Sequence, residues 1–329
     1  MRKEPSLMKA VVYRTHGSPD VLKYEDIEKP AAGDNEVLLK VRAASVNPLD
    51  YHLMHGGPFI FRVLFMRIKD IARPGVDVAG EVEAVGKKVT QFKPGDQVFG
   101  SCRGAFAEYA CAPESALVLK PDNVTFEQAA SVPVAAYTAL QGLRDKAHVQ
   151  PGQRVLINGA GGGVGTFAVQ IAKSFGADVT GVCSSANVDM VRSIGADRVI
   201  DYTREDFAES RQRYDLFYDC VGNRSLSACR RVLNPKGMYL TIAGPHNGGV
   251  FGFLARLIGL LVSSPFVSQK QIMVAAKARK DDLTSMHELM KDGKVTPVID
   301  RRYKLSEAAE AVRYLEQGHA RGKVVITFD

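Results

Sequence analysis

Apolar residues fall along this chain in two different rhythms, and the change between them divides it. From Met8 to about residue 120 they come in short runs cut by glycine and proline. MKAVVY at 8–13 reads as a strand, and Val37, Leu39 and Val41 alternate with Leu38, Lys40 and Arg42 as in a strand with one buried face. Pro74-Gly75, Gly80, Gly86, Pro94-Gly95-Asp96, Gly100 and Gly104 punctuate the stretch at the spacing of an all-β module. From Thr125 the period lengthens. TFEQAASVPVAAYTALQGL at 125–143 reads as helix, with Thr125 as N-cap and Gln128 three residues on in a capping-box pattern.

Strands and helices then alternate. Strands are expected at Arg154–Asn158, Val179–Cys183, Arg198–Ile200, Leu216–Cys220, Met238–Ile242 and Gln271–Ala276, and helices at Thr166–Lys173, Asn187–Ile194 and Leu283–Met290. Such alternation predicts a parallel sheet with right-handed crossovers, helices on both faces, and ligands at the carboxyl ends of the strands. Val295–Asp300 and Lys323–Phe328 read as strands around a helix at Ser306–Glu316, expected to rejoin the β-rich part. The expectation is an α/β protein with a β-rich domain at 1–125 and 296–329 and a doubly wound parallel-sheet (Rossmann) domain at 126–295.

The first strand-to-helix turn of the second domain is where the chemistry is most legible. RVLINGAGGGVGTFAVQIAKSFGADVTGV, residues 154–182, is a strand, a glycine turn, a helix and a second strand. Its loop meets the dinucleotide fingerprint G-x-G-x-x-G as Ala160-x-Gly162-x-x-Gly165, with alanine in place of the first glycine. Gly162 would let the backbone approach a pyrophosphate, and Gly165 would let the helix pack closely on the strand. The free N–H groups at the helix start would face the anion.

Composition narrows the class. A chain of 329 residues can bury two cores, and its formal charge of +7 comes from 43 basic and 36 acidic residues mixed along the sequence. No basic block makes a nucleic-acid footprint, and the excess charge could help attract an anionic cofactor. The cysteines at 102, 111, 183, 220 and 229 form no C-x-x-C pair. Their odd count, and an N-terminus MRKEPSL without an apolar leader, suit reduced thiols in a cytoplasmic protein with a frayed extension at residues 1–7.

Several segments together resemble the medium-chain dehydrogenase/reductase superfamily, in its zinc-free quinone oxidoreductase branch. They are AASVNPLDYHLMHG at 43–56, PGVDVAGEVEAVG at 74–86, FKPGDQVFG at 92–100, GAGGGVG at 159–165, IGADRVIDY at 194–202 and GHARGKVVI at 318–326. The resemblance implies a GroES-like β-rich catalytic domain split around the Rossmann domain, an active site in the cleft between them, and a homodimer. Zinc-dependent relatives place a cysteine where this chain has Asn47 and a His-Glu pair where it has Val76-Asp77, and they carry a four-cysteine lobe that is missing here. Asp50, His52, His55 and Asp77 are the local metal-ligand candidates, and the expectation is no zinc.

NAD-binding Rossmann domains place an acid about twenty residues past the glycine loop for the ribose 2′-OH. Ser184 and Ser185 stand there instead, and Tyr202 is similar to the family tyrosine that lies along a 2′-phosphate, so NADPH is expected over NADH. Ala186 departs from the pattern, since many relatives have a basic residue there, and Asp189 is nearby; the serines could also simply cap the next helix. By the same resemblance Thr138 lies beside the nicotinamide. Ala160, Gly161, Gly162, Gly163, Val164 and Gly165 hold the pyrophosphate, Ile242 and Ala243 close a strand end, and His319, Ala320 and Arg321 come from the tail. Arg321 could equally be a surface charge.

Losing zinc removes the Lewis acid that alcohol oxidation needs, whereas a quinone or an α,β-unsaturated carbonyl accepts hydride with less help. Asn47 could order its loop or donate to the substrate carbonyl. Tyr51 or His52 could donate a proton, Tyr51 could wall the pocket, or water could serve. The expected activity is NADPH-dependent reduction of quinones or of activated C=C bonds. A zinc-type alcohol dehydrogenase and a cofactor-binding structural or regulatory protein are the alternatives.

Two apolar segments stand outside this scheme. VFGFLARLIGLLV at 250–262 has one charge and would span about 20 Å as a helix, short of a bilayer core of roughly 30 Å. In Pro58–Lys69, Ile60, Phe61, Leu64, Phe65 and Ile68 fall on one helical face with Arg62, Met66 and Lys69 opposite. They could cover each other or a partner subunit, or dip into a membrane surface with Arg62, Arg67 and Lys69 at anionic headgroups.

Overall fold

The computed structural model describes residues 6–56, 71–242, 258–259 and 267–328. The apolar segments 58–69 and 250–262 and the expected contact Ala243 therefore lie outside the described residues, apart from 258 and 259. Two compact units make up the chain: Met1–Val134 with Ala278–Gly293 and Pro297–Asp329, and Ala135–Lys277 with Lys294–Thr296.

In the first unit β1 (Leu7–Val12) and β2 (Lys23–Glu28) pair antiparallel. The larger sheet uses β3 (Glu36–Val46), β4 (Asp77–Val85), β5 (Gln97–Ser101), β6 (Tyr109–Pro113), β7 (Leu117–Leu119), β14 (Ile299–Lys304) and β15 (Lys323–Thr327). Its order is β14-β15-β3-β4-β5-β7, with β6 also on β3. The two C-terminal strands thus join the N-terminal sheet, β15 antiparallel to β3. Val37, Leu39, Val41, Val78, Phe106 and Ile326 are among its buried core. Bulges between Leu38 and Leu39 and between Val41 and Ala43 break the alternation expected over 37–42, and Leu38 is buried with its neighbours. Helix α1 (Pro48–His55) follows β3 directly, and α2 (Phe126–Ala130) packs on β3 and β4.

The second unit holds one sheet of β8 (Arg154–Asn158), β9 (Asp178–Cys183), β10 (Arg198–Asp201), β11 (Tyr214–Asp219), β12 (Leu233–Thr241) and β13 (Lys270–Met273). All pairs are parallel and the order is β10-β9-β8-β11-β12-β13. Counted from β8 this is the doubly wound order whose ligand site lies at the carboxyl ends, where the winding reverses between β8 and β11. Helices α3 (Pro133–Leu140), α4 (Gly163–Ser174), α5 (Val188–Ser193) and α6 (Leu226–Arg231) accompany it. Phe217 sits edge-on between Phe207 and Tyr239, with ring centroids 5.4 and 5.5 Å apart.

Three sequence expectations shift. The helix read over 125–143 is broken after α2, because Pro133 has no N–H to continue the ladder, and it ends in a π turn at Gln141–Lys146. That turn lies against β11: a Cβ on Gly142 would come 2.5 Å from the Tyr218 ring. The strand read at Val295–Asp300 begins only at Ile299. Gln170 of α4 takes Thr296 as a strand partner would, accepting its N–H at 2.8 Å and donating to its carbonyl at 3.1 Å. The helix read at Leu283–Met290, assigned by sequence to the second domain, is α7 (Lys280–Lys291) and groups with the first unit, where Asn123 donates to the Met290 carbonyl at 3.0 Å; α8 (Ala308–Glu316) also belongs there.

Candidate cofactor and substrate sites

The glycine turn of the second unit follows β8 and caps α4. Gly159 takes the left-handed conformation at φ +80°, one residue before the fingerprint begins. Ala160 is not in that region and is fully buried, its N–H bonded to the Val182 carbonyl at 3.0 Å, which explains how alanine serves where the motif has its first glycine. A Cβ on Gly165 would lie 2.0 Å from the Gly159 carbonyl oxygen, so the close approach of helix to turn excludes every side chain there. A Cβ on Gly162 would have a single neighbour, the same oxygen at 3.4 Å, and would fill otherwise open space at the helix start. No side chain caps α4 at Gly162. Open space at Gly162, at an uncapped helix N-terminus, fits a dinucleotide pyrophosphate.

Beneath the turn lies a buttress that sequence reading missed. The fully buried Asp219 carboxylate accepts from Asn158 Nδ2 at 2.9 Å, Tyr239 OH at 2.7 Å, and the Val221 and Gly222 N–H groups at 3.1 and 2.9 Å. Asn158 and Asp219 end the two strands at the winding reversal, and Val221 packs where a Cβ on Gly159 would stand, 2.7 Å away. The available signal was an aspartate closing the apolar run LFYD at a strand's carboxyl end. Ile242 joins the same end, its N–H bonded to the Asp219 carbonyl at 3.2 Å, and Thr138 accepts Tyr218 OH at its carbonyl at 2.7 Å.

Ser184 and Ser185 follow β9, and Tyr202, half exposed, follows β10. Ser184 stands at the N-cap of a short 3-10 turn without a side-chain capping bond, so the helix-cap alternative is not what its hydroxyl does. Ser185 Oγ donates instead to Asp201 Oδ2 at 2.5 Å.

In the first unit the expected substrate loop meets a buried ionic cluster. Asn47 is the N-cap of α1 and its N–H donates to Asp50 Oδ2 at 2.8 Å, while Gly75 N–H donates to Asp50 Oδ1 at 3.1 Å. Asp77 Oδ2 accepts from Ser45 Oγ at 3.0 Å and Asn47 Nδ2 at 2.9 Å, and its Oδ1 accepts from Val134 N–H at 3.1 Å. The Lys323 ammonium donates to Asn47 Oδ1 at 2.6 Å and lies 3.7 Å from Asp77 Oδ2. All four side chains are buried. Desolvation pushes Asp50 up to about 7, and it raises Asp77 and lowers Lys323 against the pull of their mutual attraction. The Asn47 amide is thereby committed on both its oxygen and its nitrogen, so of its two expected roles the structure fits loop ordering.

Tyr51 and His52 lie next on α1 with ring centroids 4.5 Å apart. Tyr51 is half-buried against the core, and burial, then Glu316, raises its pKa; His52 is exposed. His55 Nε2 is 2.6 Å from Glu316 Oε1. Of the tail residues, Arg321 and His319 are exposed and Arg321 N–H donates to Asp300 Oδ2 at 2.9 Å.

Comparison with known proteins fits both halves. Residues 33–122 match the family profile of the alcohol dehydrogenase GroES-like domain, and residues 194–326 that of zinc-binding dehydrogenases. The chain is 34% identical over 337 residues to the 2-methylene-furan-3-one reductase of Solanum lycopersicum, covering 98% of this chain and 79% of that protein. It is 35% identical to the mitochondrial NAD(P)H oxidoreductase RTN4IP1 of Mus musculus, over 98% of this chain and 89% of that one. This chain belongs to the medium-chain dehydrogenase/reductase superfamily. The solved structure of the quinone oxidoreductase from Coxiella burnetii superimposes with a TM-score of 0.83 at 31% identity, over 98% of this chain and all of that one.

Asn47 and Asp77, which the resemblance sets with Val76 at the ligand positions of zinc-dependent relatives, are engaged by the Lys323 ammonium. Among the described residues no three His, Cys, Asp or Glu side chains are grouped to hold a metal ion. Lys323 was not singled out from sequence. It lies 276 positions from Asn47 and reads there as an ordinary strand lysine.

Proposed function

We propose that this chain is a zinc-independent reductase that prefers NADPH to NADH and reduces quinones or the C=C bond of α,β-unsaturated carbonyls. The observation that carries this reading is the buried cluster of Asn47, Asp77 and Lys323, in which a fixed ammonium stands among the residues that replace zinc ligands. An alkoxide would find no Lewis acid in that donor set, whereas a conjugated carbonyl needs only orientation and a proton at the end.

When bound, the nicotinamide supplies hydride. The chain's own residues do the rest: Gly161, Gly162, Gly163 and Val164 seat the pyrophosphate, Asp219 and Asn158 hold that turn in place, and Asn47 and Asp50 fix the start of α1. Tyr51 and His52, on the following turn, are the side chains offered as proton donors, with water as the substitute. Ser184, Ser185 and Tyr202, with no acid ending β9, support NADPH. The names of the relatives, quinone oxidoreductases and an enone reductase among them, support the substrate class.

The reading includes a cytoplasmic homodimer, which the free state of all five cysteines suits as to compartment. No helix among the described residues is long and apolar enough to cross a membrane. The segments at 58–69 and 250–262 remain the proposed subunit or membrane contacts.

Metal analysis and chelation test the reading. Purified protein is expected to lack stoichiometric zinc, to keep its quinone reductase rate after exhaustive chelation, and to yield no product from secondary alcohols with NADP⁺. One tightly bound zinc per chain whose removal abolishes turnover would refute it.

A further inference from the structure

The corner formed by the ends of β9 and β10 contains more than the two serines and the tyrosine that sequence reading placed there. The strands run parallel with Asp201 level with Cys183, so Ser184–Ser185 and Tyr202–Arg204 leave the sheet side by side. Ser185 Oγ donates to Asp201 Oδ2 at 2.5 Å, Thr203 Oγ1 donates to Asp201 Oδ1 at 2.7 Å, and the Thr203 N–H donates to the same oxygen at 3.0 Å. The two hydroxyl oxygens are 2.8 Å apart. Arg204 Nε lies 3.4 Å from Asp201 Oδ2.

Hydrogen counting changes what this corner can bind. Each hydroxyl has one hydrogen, and the two hydrogens are taken up within three short contacts, two to the Asp201 carboxylate and one between the hydroxyls, in which either oxygen can donate; Ser185 and Thr203, with Arg204, hold that carboxyl below the usual range. Toward a ligand Ser185 and Thr203 then present lone pairs. A phosphate dianion needs donors, and a neighbouring carboxylate repels it. The donor-rich group at this corner is the Arg204 guanidinium, whose side chain is 80% exposed while that of Asp201 is 13% exposed. Its planar fork suits a phosphate.

We propose that Arg204, rather than Ser185, receives the 2′-phosphate of the cofactor, and that Asp201, by taking up the Ser185 and Thr203 hydroxyl hydrogens and opposing the phosphate, limits how far NADPH is preferred. The proposal rests on the NADPH reading above and assigns its selectivity to residues of β10 and the turn after it. Removing the Asp201 charge while keeping an acceptor would release the hydroxyls to donate and lift the repulsion.

The test is calorimetric binding of 2′,5′-ADP and of 5′-ADP to the full-length protein and to Arg204→Ala, Arg204→Lys and Asp201→Asn, which needs no turnover. Wild type is expected to bind 2′,5′-ADP more tightly. Arg204→Ala should weaken 2′,5′-ADP by about tenfold and flatten its salt dependence with 5′-ADP within about twofold, and Arg204→Lys should restore part of the loss. Asp201→Asn should tighten 2′,5′-ADP by roughly threefold or more without tightening 5′-ADP. If wild type discriminates but Arg204→Ala discriminates equally well, or Asp201→Asn binds 2′,5′-ADP more weakly, the assignment is wrong. If wild type itself favours 5′-ADP and Asp201→Asn loses it, Asp201 is a ribose-hydroxyl acceptor and the NADPH reading fails instead.

Discussion

Lys323 is a cation sealed inside the first unit, and such a group is tolerable only while its partners keep their charge and hydrogen bonds. Lys323→Met leaves Asp77 and Asp50 buried without their counter-ion, and breaking a buried pair from one side costs about 3–5 kcal/mol. Chemical denaturation should show a loss of that size, with Lys323→Met/Asp77→Asn recovering a large part because the stranded charge is gone. Asp50 adds a pH signature. With its folded pKa at about 7 it binds more protons folded than unfolded between the ordinary carboxylate range and 7, so its contribution makes stability fall as pH rises through that window and leaves it level above. Asp50→Asn should flatten that part of the stability profile relative to wild type; an unchanged slope would assign the proton elsewhere. At this scale the sequence singled out Asn47 as a loop residue and Asp50, His52, His55 and Asp77 as local ligand candidates, because they fall in two short motifs. It did not show Lys323 or Asp219, whose meaning comes from strands that pair across long separations.

Elements were legible where a local rule decides them. The Thr125–Gln128 capping box forms as expected, with Gln128 N–H on Thr125 Oγ1 at 3.2 Å and Thr125 N–H on Gln128 Oε1 at 2.9 Å. Thr125→Ala should cost about 1 kcal/mol in equilibrium unfolding, and no measurable cost would mean that α2 is held by packing alone. Where tertiary partners decide, the pattern misled. Val295 and Thr296 have strand character, but the backbone of Thr296 is captured by Gln170 and β14 starts later, and α7 joins β7 of the first unit although it follows the parallel sheet in sequence. The glycine turn lies between these cases. Its strand–turn–helix geometry was readable from spacing, but the tolerance of Ala160 became intelligible only when the left-handed residue proved to be Gly159.

The whole molecule inserts a doubly wound nucleotide-binding unit into a β-rich unit, and each supplies one half of the chemistry proposed. In the function proposed, the second unit seats the pyrophosphate at its glycine turn and the 2′-phosphate at the corner of Asp201 and Arg204. The first offers a loop pinned by the buried Lys323 ammonium through Asn47 and Asp77. The central claim is that hydride goes to an activated carbon without a metal. Its most direct test is the position of the label after chelated protein reduces a simple enone with NADPH deuterated at the transferred position. Deuterium at the β-carbon of the saturated ketone is the predicted result, and deuterium at the carbonyl carbon of an allylic alcohol would contradict it.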